Sequence, residues 1–128
     1  MMIHTDGTKP IYIQISEWIE NEILNENFKP DEKVHSQYKL ADLFNINPAT
    51  AAKGLTLLSD ETILYNKRGL GKFVAHDAKD IITNKRKSQT LKRLIQEIVV
   101  EAERLHVEEG ELIELVRKTI NEHRGAAE

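Results

Sequence analysis

The chain has 128 residues, 40% of them hydrophobic, 30% charged and none cysteine, with a formal net charge of −3. That length suits one ordinary domain or one small domain with an appendage. It is short for a DNA-binding module joined to a full effector-sensing domain, or for a large α/β enzyme. The missing cysteines exclude disulfides, thiolate zinc sites and cysteine nucleophiles. No apolar run approaches the roughly 18 residues of a membrane span, and the N-terminus lacks a signal-peptide layout, so the expectation is a cytoplasmic protein without membrane contact.

Residues 1–8 are polar, include Gly7 and Thr8, and are expected as a loose arm. Pro10 suits the first turn of a helix, where its missing N–H costs nothing. Ile11, Ile15, Ile19 and Ile23 recur every four residues, with Trp18 and Leu24 beside them. This predicts a first helix over 10–26 with its glutamates facing water. Residues 27–32 are turn chemistry around Pro30, and Lys33-Val34-His35 is a short extended piece. Ser36 N-caps a second helix carrying Tyr38, Leu40, Ala41, Leu43 and Phe44. Its capping box is incomplete, because Lys39 stands where Glu or Gln would close it. After the tight turn Asn45-Ile46-Asn47, Asn47 and Pro48 open a third helix holding Ala51, Ala52, Leu55, Leu57 and Leu58 and ending near Asp60.

Two helices joined by so short a turn form a helix-turn-helix. Thr62–Tyr65 and Lys72–Ala75 are β-prone runs, and Asn66-Lys67-Arg68-Gly69-Leu70-Gly71 between them is a basic, glycine-containing hairpin tip. The fold class is therefore mainly α with a small β-hairpin: a winged helix-turn-helix over 1–76, then a helical tail over 77–128. The tail has no Gly or Pro between Asp77 and Gly110. Within it Leu91, Ile95, Ile98, Ala102 and Leu105 step by four and three, a seam about two heptads long that Leu94 and Val99 widen. A break is expected over 106–110. Leu112, Ile113, Val116 and Ile120 then repeat on one face of a last helix, before a frayed end at 125–127.

Charge is distributed unevenly. Residues 1–76 hold 8 Lys/Arg against 10 Asp/Glu, and residues 77–128 hold 10 against 11, so neither part is basic. Basic residues nevertheless cluster at Lys67, Arg68 and Lys72, and again at Lys85, Arg86, Lys87, Lys92 and Arg93. Any nucleic-acid surface must be local.

The order and spacing of several short motifs resemble the GntR-type bacterial transcription regulators. Pro10-Ile11-Tyr12-Ile13-Gln14-Ile15 resembles the family's Pro-Ile-Tyr-x-Gln-Ile opening. Phe28–Ser36 is similar to its Leu-Lys-Pro-Gly-Asp-x-Leu-Pro-Ser turn, and Leu40-Ala41 to its second helix. Asn47-Pro48-Ala49-Thr50 resembles the start of the recognition helix in the short YtrA-like branch, and Lys67–Val74 the wing, usually Arg-Gly-x-Gly-Thr-Phe-Val. Glu111-Leu112-Ile113-Glu114-Leu115 resembles the tail of that branch. The likeness spans roughly residues 10–120. It implies a winged-helix DNA-binding domain, a two-helix dimerisation tail, and repression of a nearby operon. Three departures stand out: His35-Ser36-Gln37-Tyr38 where Pro-Ser-Glu-Arg or Pro-Ser-Glu-Asn is common, Pro48 where arginine is frequent, and Thr62 where glycine is usual.

A winged helix places the N-terminal residues of its recognition helix against base edges in the major groove. Here those residues are Asn47, Ala49, Thr50 and Lys53, with Asn47 open to a pure capping role. The helix is poor in large polar readers, so either few bases are read directly or DNA shape carries much of the specificity. Backbone contacts fall to Ser36, Gln37, Tyr38 and Lys39 at the second helix start, and to Lys67, Arg68 and Lys72 in the wing. Gly69 and Gly71 serve the hairpin tip, a close approach to a groove, or both. Arg68 is the foremost candidate for a minor-groove or phosphate contact, and Lys85, Arg86 and Lys87 can add phosphate attraction. A homodimer through Leu91, Leu94, Ile95, Ile98, Ala102 and Leu105, with Leu112, Val116 and Ile120 folding back, would read two half-sites of double-stranded DNA.

His4, His35, His76, His106 and His123 have no metal-site spacing, and no phosphate loop, nucleophile elbow or catalytic carboxylate pair is present. Neither an enzyme nor a cofactor is expected. The alternative reading is a winged-helix protein-interaction module that has lost DNA binding and acts through its tail. The sequence identifies no small-molecule effector; one would have to sit in the dimer crevice or between the domains.

Overall fold

A computed structural model describes residues 3–5 and 7–127. Met1, Met2 and Asp6 of the expected arm lie outside the described residues. The chain divides into two compact units, residues 1–85 and 86–128.

The first unit holds α1 (Ile11–Leu24), α2 (Gln37–Phe44), α3 (Pro48–Asp60), an antiparallel hairpin of β1 (Leu64–Lys67) and β2 (Gly71–Val74), and α4 (Ala78–Arg86). Helices α1 and α2 both pack on α3, which also meets β1. Ile15, Ile19 and Ile23 of α1 share a core with Leu40, Ala51, Leu55, Leu58, Ile63, Leu64 and Val74. Ala78 and Ile82 of α4 are buried in the same core, so the unit ends at Lys85 rather than at residue 76. The approach of α1 to α3 is close enough to require a glycine. A Cβ on Gly54 would lie 2.8 Å from the Tyr12 carbonyl oxygen and 3.1 Å from Ile15 Cγ2.

Several local expectations shift. Pro10 caps α1 instead of lying within it, and its carbonyl accepts hydrogen bonds from the Ile13 and Gln14 amides at 3.2 Å. The N-terminal arm is anchored at His4. Gln14 is buried, donates through Nε2 to the carbonyls of His4 and Lys9 at 2.6 and 2.9 Å, and accepts from the His4 amide at 2.8 Å. Trp18 meets Phe28 and Phe44 edge-on and stacks with His35, packing the 27–35 turn onto α1 and α2.

The hairpin starts two residues later than the β-prone runs suggest, because Thr62 and Ile63 close α3. Their amides donate to the carbonyls of Ser59 and Leu58, both at 3.0 Å, and Thr62 takes a left-handed φ of 61°. This is a helix-ending motif usually built on glycine, with the buried pair Leu58 and Ile63 as its hydrophobic contact. Asp31 likewise has φ 66° where the family turn carries glycine. The 32–34 segment joins β2 as a minimal third strand, with the Val34 amide donating to Lys72 and the Val74 amide to Glu32, each at 3.0 Å.

The glutamates of α1 do not all face water. Glu20 is 2% exposed and pairs with Lys85, which also donates to both carboxylate oxygens of Glu61 at 3.0 and 3.1 Å. Lys85 thus turns inward instead of adding to a phosphate-attracting cluster. Burial disfavours its ammonium, but the hydrogen bonds to Glu20 and Glu61 outweigh that cost and hold its pKa above the ordinary value.

The second unit holds α5 (Lys92–Arg104) and α6 (Glu109–Ala127). Residues Lys87–Leu91 form a π-helical turn, so the expected continuous helix changes its winding there. The break falls at 105–108, with Glu109 and Gly110 already in α6. His106 adopts φ 57°, its amide donates to Glu103 at 3.1 Å, and the Val107 amide donates to Ala102 at 2.8 Å. The last helix runs through Ala127 instead of fraying at Gly125.

Candidate nucleic-acid interface

Two helix starts and the hairpin tip present the expected site residues. At α2, Ser36 Oγ accepts from the Lys39 amide at 3.1 Å, which fixes the helix entry and leaves Tyr38 and Lys39 exposed. Gln37 is half-buried and makes no side-chain hydrogen bond among the described residues. At α3, Asn47 Oδ1 accepts from the Ala49 amide at 2.8 Å, with Pro48 following at the first helical position. Asn47 therefore has a capping role, and it remains exposed. Ala49 and Lys53 are exposed and Thr50 half-buried, while Ala51, Leu55 and Leu58 point into the core. Lys53 Nζ lies 4.1 Å from the Tyr12 ring centroid, so α1 holds this cation by its aromatic face.

The wing tip turns through Lys67–Leu70, the Leu70 amide donating to the Lys67 carbonyl at 2.9 Å. Gly69 and Gly71 have φ of 77° and 114°, the left-handed backbone that a side chain would strain. Lys67 Nζ sits 4.3 Å from the Phe73 ring centroid. Arg68 is exposed and makes no ion pair among the described residues. Lys72 differs from its neighbours: its Nζ donates to Ser59 Oγ at 3.0 Å and Asn66 Oδ1 at 2.8 Å, tying the wing to the C-terminal half of α3. Tyr65 Oη donates to Asp31 Oδ1 at 2.7 Å. That bond braces the wing against the 29–32 turn and raises the phenol pKa. The unit can thus offer a helix N-terminus, the exposed cations Lys39, Lys53, Lys67 and Arg68, and a narrow loop to a phosphate backbone.

Sequence reasoning missed Tyr12, Ser59, Asn66 and Phe73, which orient the cations. It also missed Leu70, an apolar side chain at the wing tip that is 60% exposed. Only Gly54, a glycine inside a helix, carried a signal for the close approach that brings Tyr12 to α3.

In the second unit the seam is open. Leu91, Leu94, Ile95, Ile98, Leu105, Val116 and Ile120 are exposed, Leu112 is half-buried and Ala102 is buried. No described element of the chain covers the exposed ones, and the expected fold-back of α6 leaves them exposed. No group of His, Asp and Glu able to hold a metal ion occurs among the described residues, nor any helix long and apolar enough to cross a membrane.

No family model matches the chain. It is 35% identical over 75 residues to the HTH-type transcriptional repressor NagR of Bacillus subtilis, covering 59% of this chain and only 31% of that protein. It is 29% identical over 119 residues to the repressor YtrA of the same organism, covering 91% of both. Among solved structures, a GntR family transcriptional regulator from Listeria monocytogenes is 30% identical with a TM-score of 0.72, over 88% of this chain and 97% of that one. The DNA-binding domain of AraR in complex with an operator is 28% identical with a TM-score of 0.52, over 59% of this chain and 90% of that one.

Proposed function

This chain belongs to the GntR family of winged-helix transcriptional regulators, and on that premise we propose that it is a cytoplasmic, sequence-specific repressor that binds a pseudo-palindromic operator as a homodimer. Residues 1–76 with α4 form the reading head and the rest of 77–128 the dimerisation tail. The observation that carries the reading is a division of labour. The first unit buries most of its apolar residues in one core and exposes helix starts and wing cations; the second leaves its apolar seam uncovered.

In this reading Asn47, Ala49, Thr50 and Lys53 meet the major groove. Ser36, Gln37, Tyr38 and Lys39 meet phosphates, and Lys67, Arg68, Gly69 and Gly71 meet the adjacent backbone or minor groove. Lys72 acts through its bonds to Ser59 and Asn66 by holding the wing in place. The AraR domain seated on its operator supports DNA as the partner of the corresponding part of this chain. A net charge of −3 gives a single head little general attraction for DNA, so the dimer supplies affinity by presenting a second half-site at high effective concentration.

Selection from a random DNA library by the full chain, followed by binding at rising salt, tests this. The expected result is an inverted repeat whose affinity falls steeply as salt displaces phosphate contacts. No enriched site, or affinity for partner proteins that barely responds to salt, would favour the protein-interaction module instead.

A further inference from the structure

We infer that Lys85 is a positioning residue that sets how strictly this regulator discriminates the spacing between operator half-sites. This rests on the dimeric, DNA-binding reading above. Lys85 lies near the end of α4, the last helix of the first unit. Its ammonium reaches Glu20 in the middle of α1 and both oxygens of Glu61, the residue that ends α3. A single cation therefore ties α4 to the core helix and to the recognition helix together. Glu20 is nearly fully buried, so losing the lysine leaves a carboxylate uncompensated in the interior, a much larger penalty than losing a surface pair.

Directly beyond Arg86 the chain enters the π-helical turn Lys87–Leu91, in which no residue is buried. π-helices are rare, occur mostly as single turns inside α-helices, and are frequent at functional sites. The clasp and the turn make a pair. The clasp holds the C-terminal end of α4 on the reading head, and the chain beyond it continues into the exposed π turn. Without the clasp, the last turn of α4 beyond the buried Ile82 lifts, and the segment linking head and tail lengthens back to Ile82. For a dimer, the length of that segment decides how many half-site spacings both heads can reach at once.

The test uses the full chain and four proteins: wild type, Lys85→Met, Lys85→Arg, and Lys79→Met. The last, on the same helix as Lys85, removes an exposed ion pair with Glu26, which lies just beyond the end of α1. Each is titrated against the selected operator, against versions with the half-sites moved closer or further by one and two base pairs, and against a single half-site. Amide exchange of α4 is followed in parallel. Wild type and Lys79→Met should lose roughly tenfold or more in affinity on re-spacing. Lys85→Met should flatten that profile to within about threefold, keep wild-type affinity for the single half-site, and speed exchange in α4 about tenfold or more. Lys85→Arg should restore both. If Lys85→Met does not fold, Glu61→Gln removes one arm of the clasp and is read in the same way. A sharp optimum retained by the variant while α4 exchanges faster overturns the inference alone. A wild type that sediments as a monomer or shows no optimum overturns it together with the dimeric reading.

Discussion

The two units handle apolar surface in opposite ways. In residues 1–85, fourteen buried side chains from every element share one core, and the charged groups that enter it are paired. In residues 86–128, the large aliphatic side chains remain 42% to 61% exposed, apart from the half-buried Val107 and Leu112, and Ala102 is the buried hydrophobic residue among those described. Both are helical and both carry the expected periodicity. The difference lies in whether the apolar face finds a partner within its own chain. The first unit is a self-sufficient fold. The second consists of helices whose stabilisation has to come from another surface, since short isolated helices are marginal in water.

Breaking the tail is the most severe test of that contrast. Leu94→Asp with Ile98→Asp places charges on exposed seam positions and leaves the first unit untouched. Sedimentation should show a shift from dimer to monomer at micromolar concentration. Affinity for a paired operator should fall by about a hundredfold or more, because the effective concentration of the second head is lost. Unchanged mass would show that the seam has another use.

Replacing Lys67 and Arg68 with alanine probes the reading head alone. The pair should cost about 2–4 kcal/mol of operator affinity, and the dependence on salt should weaken by roughly one phosphate contact per residue, with the dimer intact. Equal affinity before and after would remove the wing from the interface.

Gly54→Ala should lower the stability of the first unit by about 1–3 kcal/mol, since the new methyl meets the Tyr12 carbonyl at 2.8 Å and α1 must give way. Thermal melting would register the loss while the oligomeric state stays the same. Thr62→Gly acts the other way. A β-branched residue held at φ 61° is strained, so glycine should raise stability by about 1 kcal/mol in denaturant unfolding.

The smallest effect concerns pH. Burial, with help from Lys39 and against Glu22, pushes the His35 imidazole below its ordinary pKa of 6.5. The unfolded chain then binds more protons than the folded one just below that value. This contribution is fully present above pH 6.5 and is lost as the pH falls through it toward the lowered folded value. Melting temperatures between pH 7.5 and 5 should fall, and His35→Asn should flatten the slope.

Much of this architecture is legible in the residues themselves. Asn47-Pro48 marks the start of α3, and its predicted end near Asp60 is the observed one. Ser36 caps α2, and the tip of the wing is where the basic glycine-containing segment puts it. Those features depend on groups within a turn of one another. The left-handed backbone at Glu26, Thr62 and His106 was harder to see, because none of these residues is glycine or asparagine and so none gives a compositional signal.

What the sequence by itself determined is the set of local elements, their order, and which faces are apolar. Only the tertiary structure decided which charges serve the surface and which serve the core. Lys85 and Glu20 are 65 residues apart, and Lys72 and Ser59 are 13. No local pattern distinguishes an inward lysine from an outward one. The choice is made by which carboxylate or hydroxyl the packed helices bring within reach, and by the cost of leaving that group buried without a partner.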